Sequence, residues 1–161
     1  MKLKSMLMLL VFSSNYLVIQ GQVKYFPPED HLILSIQTRG FEDTSAILSE
    51  CQSLTTLFMN DEISVFFEKL KEIWILPSDE IDYLEEKTIK QLNILNGRFG
   101  NTISNSLVKS EYLDSLLFRL TFVIKFEYHA IKLRYTFYNG LDNKWYFNNF
   151  KWDDEISQLL E

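Results

Sequence analysis

One stretch, residues 116–152, constrains the fold more than any other part of the chain. It reads LLFRLTFVIKFEYHAIKLRYTFYNGLDNKWYFNNFKW, in which three runs rich in aromatic and β-branched residues are separated by short polar breaks. Such residues favour strands. The second break, residues 139–143, supplies the Gly and Asn residues that tight turns use. We therefore predict three consecutive antiparallel strands, with turns at Tyr128-His129 and at residues 139–143.

Alternation within these runs predicts one apolar face and one mixed face of the sheet. The apolar face is expected to hold Phe118, Leu120, Phe122, Ile124, Phe126, Ile131, Leu133, Tyr135 and Phe137. The mixed face is expected to hold Leu117, Arg119, Thr121, Val123, Lys125, Lys132, Arg134, Thr136 and Tyr138. In the last strand the alternation opposes Trp145 and Phe147 to Tyr146, Phe150 and Trp152, so both of its faces are partly covered.

Three amphipathic helices are predicted before the sheet, because apolar residues recur there at steps of three and four. They span residues 44–58, 63–74 and 78–95. Asn60-Asp61 and Ser78 are the predicted caps of the second and third helices, and Pro77 ends the second. Asn96-Gly97 is the predicted end of the third helix, since both residues suit left-handed backbone.

The remaining elements complete an α+β domain at residues 60–161. Residues 103–108 are predicted to form the first strand, and the polar residues 109–114 its connection to the meander. Asp153-Asp154 is expected to cap a short C-terminal helix that contains Ile156. Residues 22–59 are interpreted as an N-terminal extension with one helix, which is either an addition to the domain or part of its first helix.

The beginning of the chain has the layout of a secretory signal peptide. A short basic start is followed by an apolar run at residues 6–12 and then by polar residues. The run is shorter than the roughly 20 residues that span a bilayer. We therefore predict a signal peptide at residues 1–21, cleaved after Gly21, and a periplasmic or secreted protein without a permanent membrane span. The alternative is a buried N-terminal helix of a cytosolic protein.

Charge and cysteine content narrow the classes of partner. The formal net charge of -6 disfavours nucleic acids and anionic membranes, which call for a basic surface. A single cysteine allows no intramolecular disulfide, and two histidines with one cysteine disfavour a dedicated zinc site. We assign no cofactor and no metal.

No catalytic residue is assigned, because every candidate has a simpler structural interpretation. His31 and His129 have no visible partner that would make either a general base. Cys51 lies on the apolar stripe of its helix, where a cysteine is ordinarily inert. The carboxylate clusters lie at helix starts or on solvated helix faces, at Asp79-Glu80-Asp82, Glu85-Glu86 and Asp153-Asp154-Glu155.

A possible binding face is predicted on the mixed side of the sheet, formed by Arg119, Arg134, Tyr138 and Tyr146 with Lys125 and Lys132 nearby. Cross-strand pairing that placed an arginine beside a tyrosine would suit an acidic or planar partner. The competing interpretation is an ordinary solvated face.

Three segments resemble the NTF2-like superfamily, particularly its small exported bacterial members. They are LNILNGRFG (residues 92–100), the strand pair LLFRLTFVIKFEYHAIKLRYTFYN, and NKWYFNNFKWDDEI (residues 143–156). The resemblance implies a cystatin-like roll, in which N-terminal helices pack on a curved antiparallel sheet. Related rolls can enclose a pocket, and enzymes such as ketosteroid isomerase and scytalone dehydratase do acid-base chemistry there. Other members only bind ligands or proteins, and fold alone does not choose between these roles.

The leading hypothesis for function is an exported binding module without a catalytic site, whose partner is a protein or a small molecule. The alternatives are a pocket enzyme of the NTF2-like type and a structural subunit of an envelope assembly. A homodimer is compatible with each of these.

Overall fold

The structure, a computed structural model, describes residues 40–159 of the 161-residue chain. The helices are α1 (Thr44–Met59), α2 (Ile63–Ile73) and α3 (Ser78–Phe99). The strands are β1 (Thr102–Leu113), β2 (Leu117–Phe126), β3 (Ala130–Asn139) and β4 (Trp145–Asp153). The α+β class and the order of helices before sheet are confirmed. The predicted signal peptide and His31 lie outside the described residues.

The four strands form one antiparallel sheet in the order β1-β2-β3-β4, so each strand pairs with its neighbour in sequence. The first strand is longer than predicted, because residues 109–113 continue β1 instead of connecting it to β2. Most of β1 is exposed, since it is an edge strand. An edge strand can be polar on both faces, which explains why its second half lacked the alternation of a strand.

The predicted faces are confirmed for β2 and β3, whose apolar sets are buried. We call this covered side of the sheet the inner face. The prediction for β4 was wrong, because Phe147, Phe150 and Trp152 share the inner face. They pair with Phe137, Tyr135 and Leu133 respectively. A register shift after the Thr136↔Asn149 pair inserts one extra residue into β4, which reverses the alternation at that point.

Aromatic rings join the helices to the inner face. The ring of Phe66 on α2 lies 5.3 Å from Phe58 on α1, 5.0 Å from Phe67 and 5.0 Å from Phe150 on β4, between ring centroids. The core also includes Ile47, Cys51 and Leu54 of α1. The first helix therefore packs into the same core as the elements that follow it.

The helix ends differ from the predictions. Asn96-Gly97 does not end α3, which continues to Phe99; Gly100 follows with a φ of 79°.

The first helix is capped by Asp43, whose side chain accepts hydrogen bonds from the backbone N–H groups of Ser45 and Ala46. No side-chain cap bond is found at the start of α2 or α3, so the predicted caps at Asn60-Asp61 and Ser78 were wrong. In place of the expected C-terminal helix there is a 3-10 turn, Ile156–Leu159.

The two edges of the sheet are covered unequally. Phe41 forms an antiparallel bridge with Trp145, and Trp74 forms a parallel bridge with Phe147, so two segments lie against β4. At the other edge, no segment between residues 40 and 159 pairs with the free side of β1.

Candidate binding cleft

The residues of the predicted binding face are engaged mainly with their own neighbours. Arg119 donates through Nε to Thr136 Oγ1 at 3.3 Å, and Arg134 Nη2 lies 2.7 Å from Asp153 Oδ2. Tyr146 donates through its hydroxyl to Asp142 Oδ2 at 2.7 Å. The register pairs Tyr138 with Tyr146 but pairs neither arginine with a tyrosine. The structure therefore does not bring these side chains together as one site.

Lys132 is buried, although the alternation placed it on the mixed face of the sheet. Its side chain is 1% exposed, and Nζ lies 3.0 Å from Asp153 Oδ1 and 2.5 Å from the carbonyl oxygen of Glu155. Asp153 also pairs with Arg134. Burial alone raises the pKa of Asp153, but hydrogen bonds from Lys132 and the Glu155 N–H, with the charges of Arg134 and Lys132, lower that pKa by more. The result is an ionic network that attaches the end of β4 to β3.

A cleft of about 330 Å³ opens at one end of the molecule, between the helices and the sheet. Its apolar wall comes from α1, α3 and β2, and its polar rim from Asn96 of α3 and from the segments that follow α1 and α3. The residues that line it are Phe58, Met59, Asn60, Asp61, Leu92, Asn96, Asn101, Thr102, Ile124 and Phe126. We call this site the binding cleft.

The turn between α1 and α2 is fixed against the sheet beside the binding cleft. Thr102 Oγ1 donates to the carbonyl oxygen of Met59 at 2.8 Å, and Asn105 Nδ2 lies 3.5 Å from Met59 Sδ. Asp61 has a φ of 63°, in the left-handed region that Asp tolerates better than most residues. This turn directs the chain from α1 into α2 and places Asn60 and Asp61 at the rim.

Three primary amides give the binding cleft its chemical character. Asn101 donates through Nδ2 to Glu127 Oε1 at 3.2 Å. The side-chain amides of Asn60 and Asn96 have no hydrogen-bond partner within residues 40–159, so their donors and acceptors face solvent or a ligand. Asp61 adds one carboxylate. The rim can therefore donate and accept hydrogen bonds above an apolar wall.

Sequence reasoning missed the binding cleft because its residues are dispersed and each had a local explanation. Asn60-Asp61 was interpreted as a cap and Asn96 as part of a helix stop. The C-terminal ends of α1 and α3 meet at this cleft, since Phe58 and Met59 of α1 and Leu92 and Asn96 of α3 all line it. An Asn follows or precedes each of these ends.

The remaining chemical candidates do not form a site. Cys51 is buried, and burial, with the charge of Glu50, raises the pKa of its thiol well above the ordinary value. His129 stacks on Phe99, with ring centroids 4.2 Å apart, and its Nε2 lies 3.8 Å from Asp154 Oδ2. No group of three or more His, Cys, Asp or Glu side chains suited to a metal ion occurs in the described part of the chain.

No protein-family model, curated protein or solved structure matches the chain. None of the helices between residues 40 and 159 has the length and hydropathy that crossing a membrane requires.

Proposed function

We propose that the protein is an exported binding module of the NTF2-like type, which holds a small, polar, uncharged ligand in the binding cleft. The observation that carries this proposal is the pair of unpartnered amides, Asn60 and Asn96, above an apolar wall in a cleft of about 330 Å³. Small-molecule sites typically measure about 300–1,000 Å³ and combine apolar walls with a few polar groups that fix orientation. The site is at the small end of that range.

The chemistry of the rim favours a neutral ligand. A primary amide donates and accepts at once, which matches a hydroxyl or another amide. An anion would meet the carboxylate of Asp61 in a protein of net charge -6. We therefore expect hydroxyl-bearing or amide-bearing molecules, of which simple sugars are the most accessible probes.

The filled interior supports binding over pocket chemistry. Tyr135, Phe122 and Phe137 are fully buried between the helices and the sheet, where an NTF2-like enzyme would have its pocket. The hydroxyl of Tyr135 lies 3.1 Å from Thr55 Oγ1 and belongs to this packing. Burial raises the pKa of Tyr135 well above its ordinary value, so at neutral pH it stays protonated. Export is inferred from the composition of residues 1–21.

Nuclear magnetic resonance titration tests the proposal with glucose and N-acetylglucosamine as neutral probes and succinate as an anionic one. We expect the neutral probes to shift the side-chain amide signals of Asn60 and Asn96, and succinate to leave them unchanged. Asn96→Ala should weaken binding by about tenfold, the value of roughly one well-placed hydrogen bond.

Asn93→Ala is the matched control, because Asn93 is exposed on the same helix and does not line the binding cleft. It should leave the affinity unchanged. Equal losses in the two variants, or no shift with any of the three probes, would contradict the proposed site.

A further inference from the structure

Strand β1 presents a long open edge. It spans Thr102–Leu113, and its free side has no partner strand in the described part of the chain. Apolar side chains are exposed along it, among them Val108 at 48% and Tyr112 at 58%. Unpaired strand edges with exposed apolar residues pair readily with other strands, unless the protein covers or charges them.

We propose that β1 is a dimerisation edge, along which two copies of this chain pair antiparallel about a two-fold axis through Ser110. The inference is independent of the proposed ligand, since the binding cleft involves only the start of β1. The two copies would then share one continuous eight-stranded sheet.

The charges on β1 select this register. Lys109 and Glu111 flank Ser110, and within one chain Lys109 Nζ lies 3.1 Å from Glu111 Oε1. With the axis at Ser110, Lys109 lies opposite Glu111 of the second copy, and the reverse pair occurs on the other side of the axis. An axis through Lys109 or Glu111 would oppose two like charges, which is destabilising in a cross-strand pair.

The pairing is centred on the second half of β1, and with the axis at Ser110 its outermost pairs, Val108 with Tyr112 and Leu107 with Leu113, include a bulge. A register shift between Leu107 and Lys109 marks a bulge, whereas residues 109–113 pair with β2 without interruption. Directly opposed residues of an antiparallel pair point to the same side of the sheet. A two-fold axis midway between two consecutive residues would oppose an inward-facing residue to an outward-facing one, so the axis must pass through a residue. Among the residues of this regular stretch, only Ser110 gives a Lys109–Glu111 match.

The covered opposite edge explains why the partner is one further copy and not a chain of copies. Phe41 and Trp74 bridge to Trp145 and Phe147, so the start of β4 is occupied and β1 of another molecule cannot pair along the whole of β4. Pairing of β1 with β1 uses both open edges and is closed by symmetry.

A charge-swap series measured by sedimentation equilibrium on the full-length protein tests the register. The wild-type protein is expected to dimerise reversibly. Lys109→Glu and Glu111→Lys should each raise the dimer dissociation constant by about tenfold, because each places two like-charge pairs at the interface. The double variant Lys109→Glu/Glu111→Lys should restore the wild-type value, since both cross-copy pairs return in reversed order. A monomeric wild-type protein, or a double variant as weak as the single ones, would overturn the proposal.

Cysteine cross-linking tests the axis itself. Ser110→Cys should form a disulfide-linked dimer under mild oxidation, because opposed residues of an antiparallel pair lie within disulfide reach. Ser106→Cys is the matched control, as it is exposed on the same strand but lies opposite residue 114 in this register. The native Cys51 is buried and does not compete. Equal cross-linking of the two variants, or none in Ser110→Cys, would exclude an axis at Ser110.

Discussion

Gly100 ends α3 in a conformation that any side chain would strain. Its φ is 79°, and a Cβ at this position would contact the carboxylate and Cβ of Glu127. We predict that Gly100→Ala lowers the free energy of unfolding by about 1–3 kcal/mol. Gly97→Ala is the control, since Gly97 lies inside α3 and, outside its own helix backbone, nothing lies within 4 Å of its Cβ position. That change should stabilise the protein by about 0.5–1 kcal/mol. Urea denaturation measures both values.

Asp153 makes stability depend on pH. Its pKa is lowered in the folded protein, so the stability that its charge contributes is present above the unfolded value of about 3.9 and is lost as the pH falls through the folded pKa. At neutral pH, Asp153→Asn should cost about 3 kcal/mol, because it removes the carboxylate paired with the buried Lys132.

The urea midpoints of wild type and Asp153→Asn, compared at about pH 6 and about pH 3, give the readout. The variant should lose less stability between these two pH values. Asp154→Asn is the control, because the Asp154 side chain is 58% exposed. A variant that keeps the full wild-type pH dependence would show that Asp153 is not its source.

The burial of Lys132 marks the limit of sequence reasoning for a single residue. The alternation correctly predicted that the Lys132 side chain lies on the face of β3 opposite to the side chains of Ile131 and Leu133. It did not show that the register pairs Lys132 with Asp153 on β4, or that the chain after Asp153 lies over the lysine. Those contacts depend on the bulge in β4, and no pattern of residues in the sequence predicts that bulge.

Among the three helices that the structure describes, α1 alone has a side-chain N-cap. The Asp43 carboxylate accepts from Ser45 N at 2.9 Å and from Ala46 N at 2.8 Å. Asp43→Ala should lower the unfolding free energy by about 1 kcal/mol, the usual effect of losing an N-cap. Ser78→Ala at the start of α3 should change it by less, since that helix start has no side-chain cap bond. Thermal unfolding followed by circular dichroism distinguishes the two; equal effects would contradict the capping role.

Elements with a covered face were predictable, and those without one were not. In β2 and β3 each inward residue is apolar, because the helices cover that face, and both strands were found within one or two residues. None of the described helices covers the second half of β1, so its residues need not alternate, and its sequence resembles that of a loop. The end of α3 was misplaced because Asn96-Gly97 resembles a stop, whereas the left-handed residue is Gly100. The binding cleft combines residues of α1, α3 and β2 with the segments that follow α1 and α3, so only the tertiary arrangement brings them together.

The molecule as a whole depends on aromatic contacts between helices and sheet. Phe66 lies at their centre, in contact with rings of α1, α2 and β4. Phe66→Ala should lower the unfolding free energy by about 3–5 kcal/mol, as expected of a large cavity in a close-packed core. Val65→Ala is the adjacent control: Val65 is 47% exposed, and its loss should cost about 0.5 kcal/mol or less. Guanidinium denaturation measures both; similar costs would contradict this description of the core.

The position of Phe150 on β4, the last strand of the sheet, has a consequence for biosynthesis. Rings on the first two helices, Phe58 and Phe66, pack against it, so those helices leave the ribosome long before the strand that completes their core. Until then their apolar faces have no native cover, and compact intermediates with exposed apolar surface aggregate. The core that Phe58 and Phe66 share with Phe150 therefore cannot be completed until β4 has been synthesised.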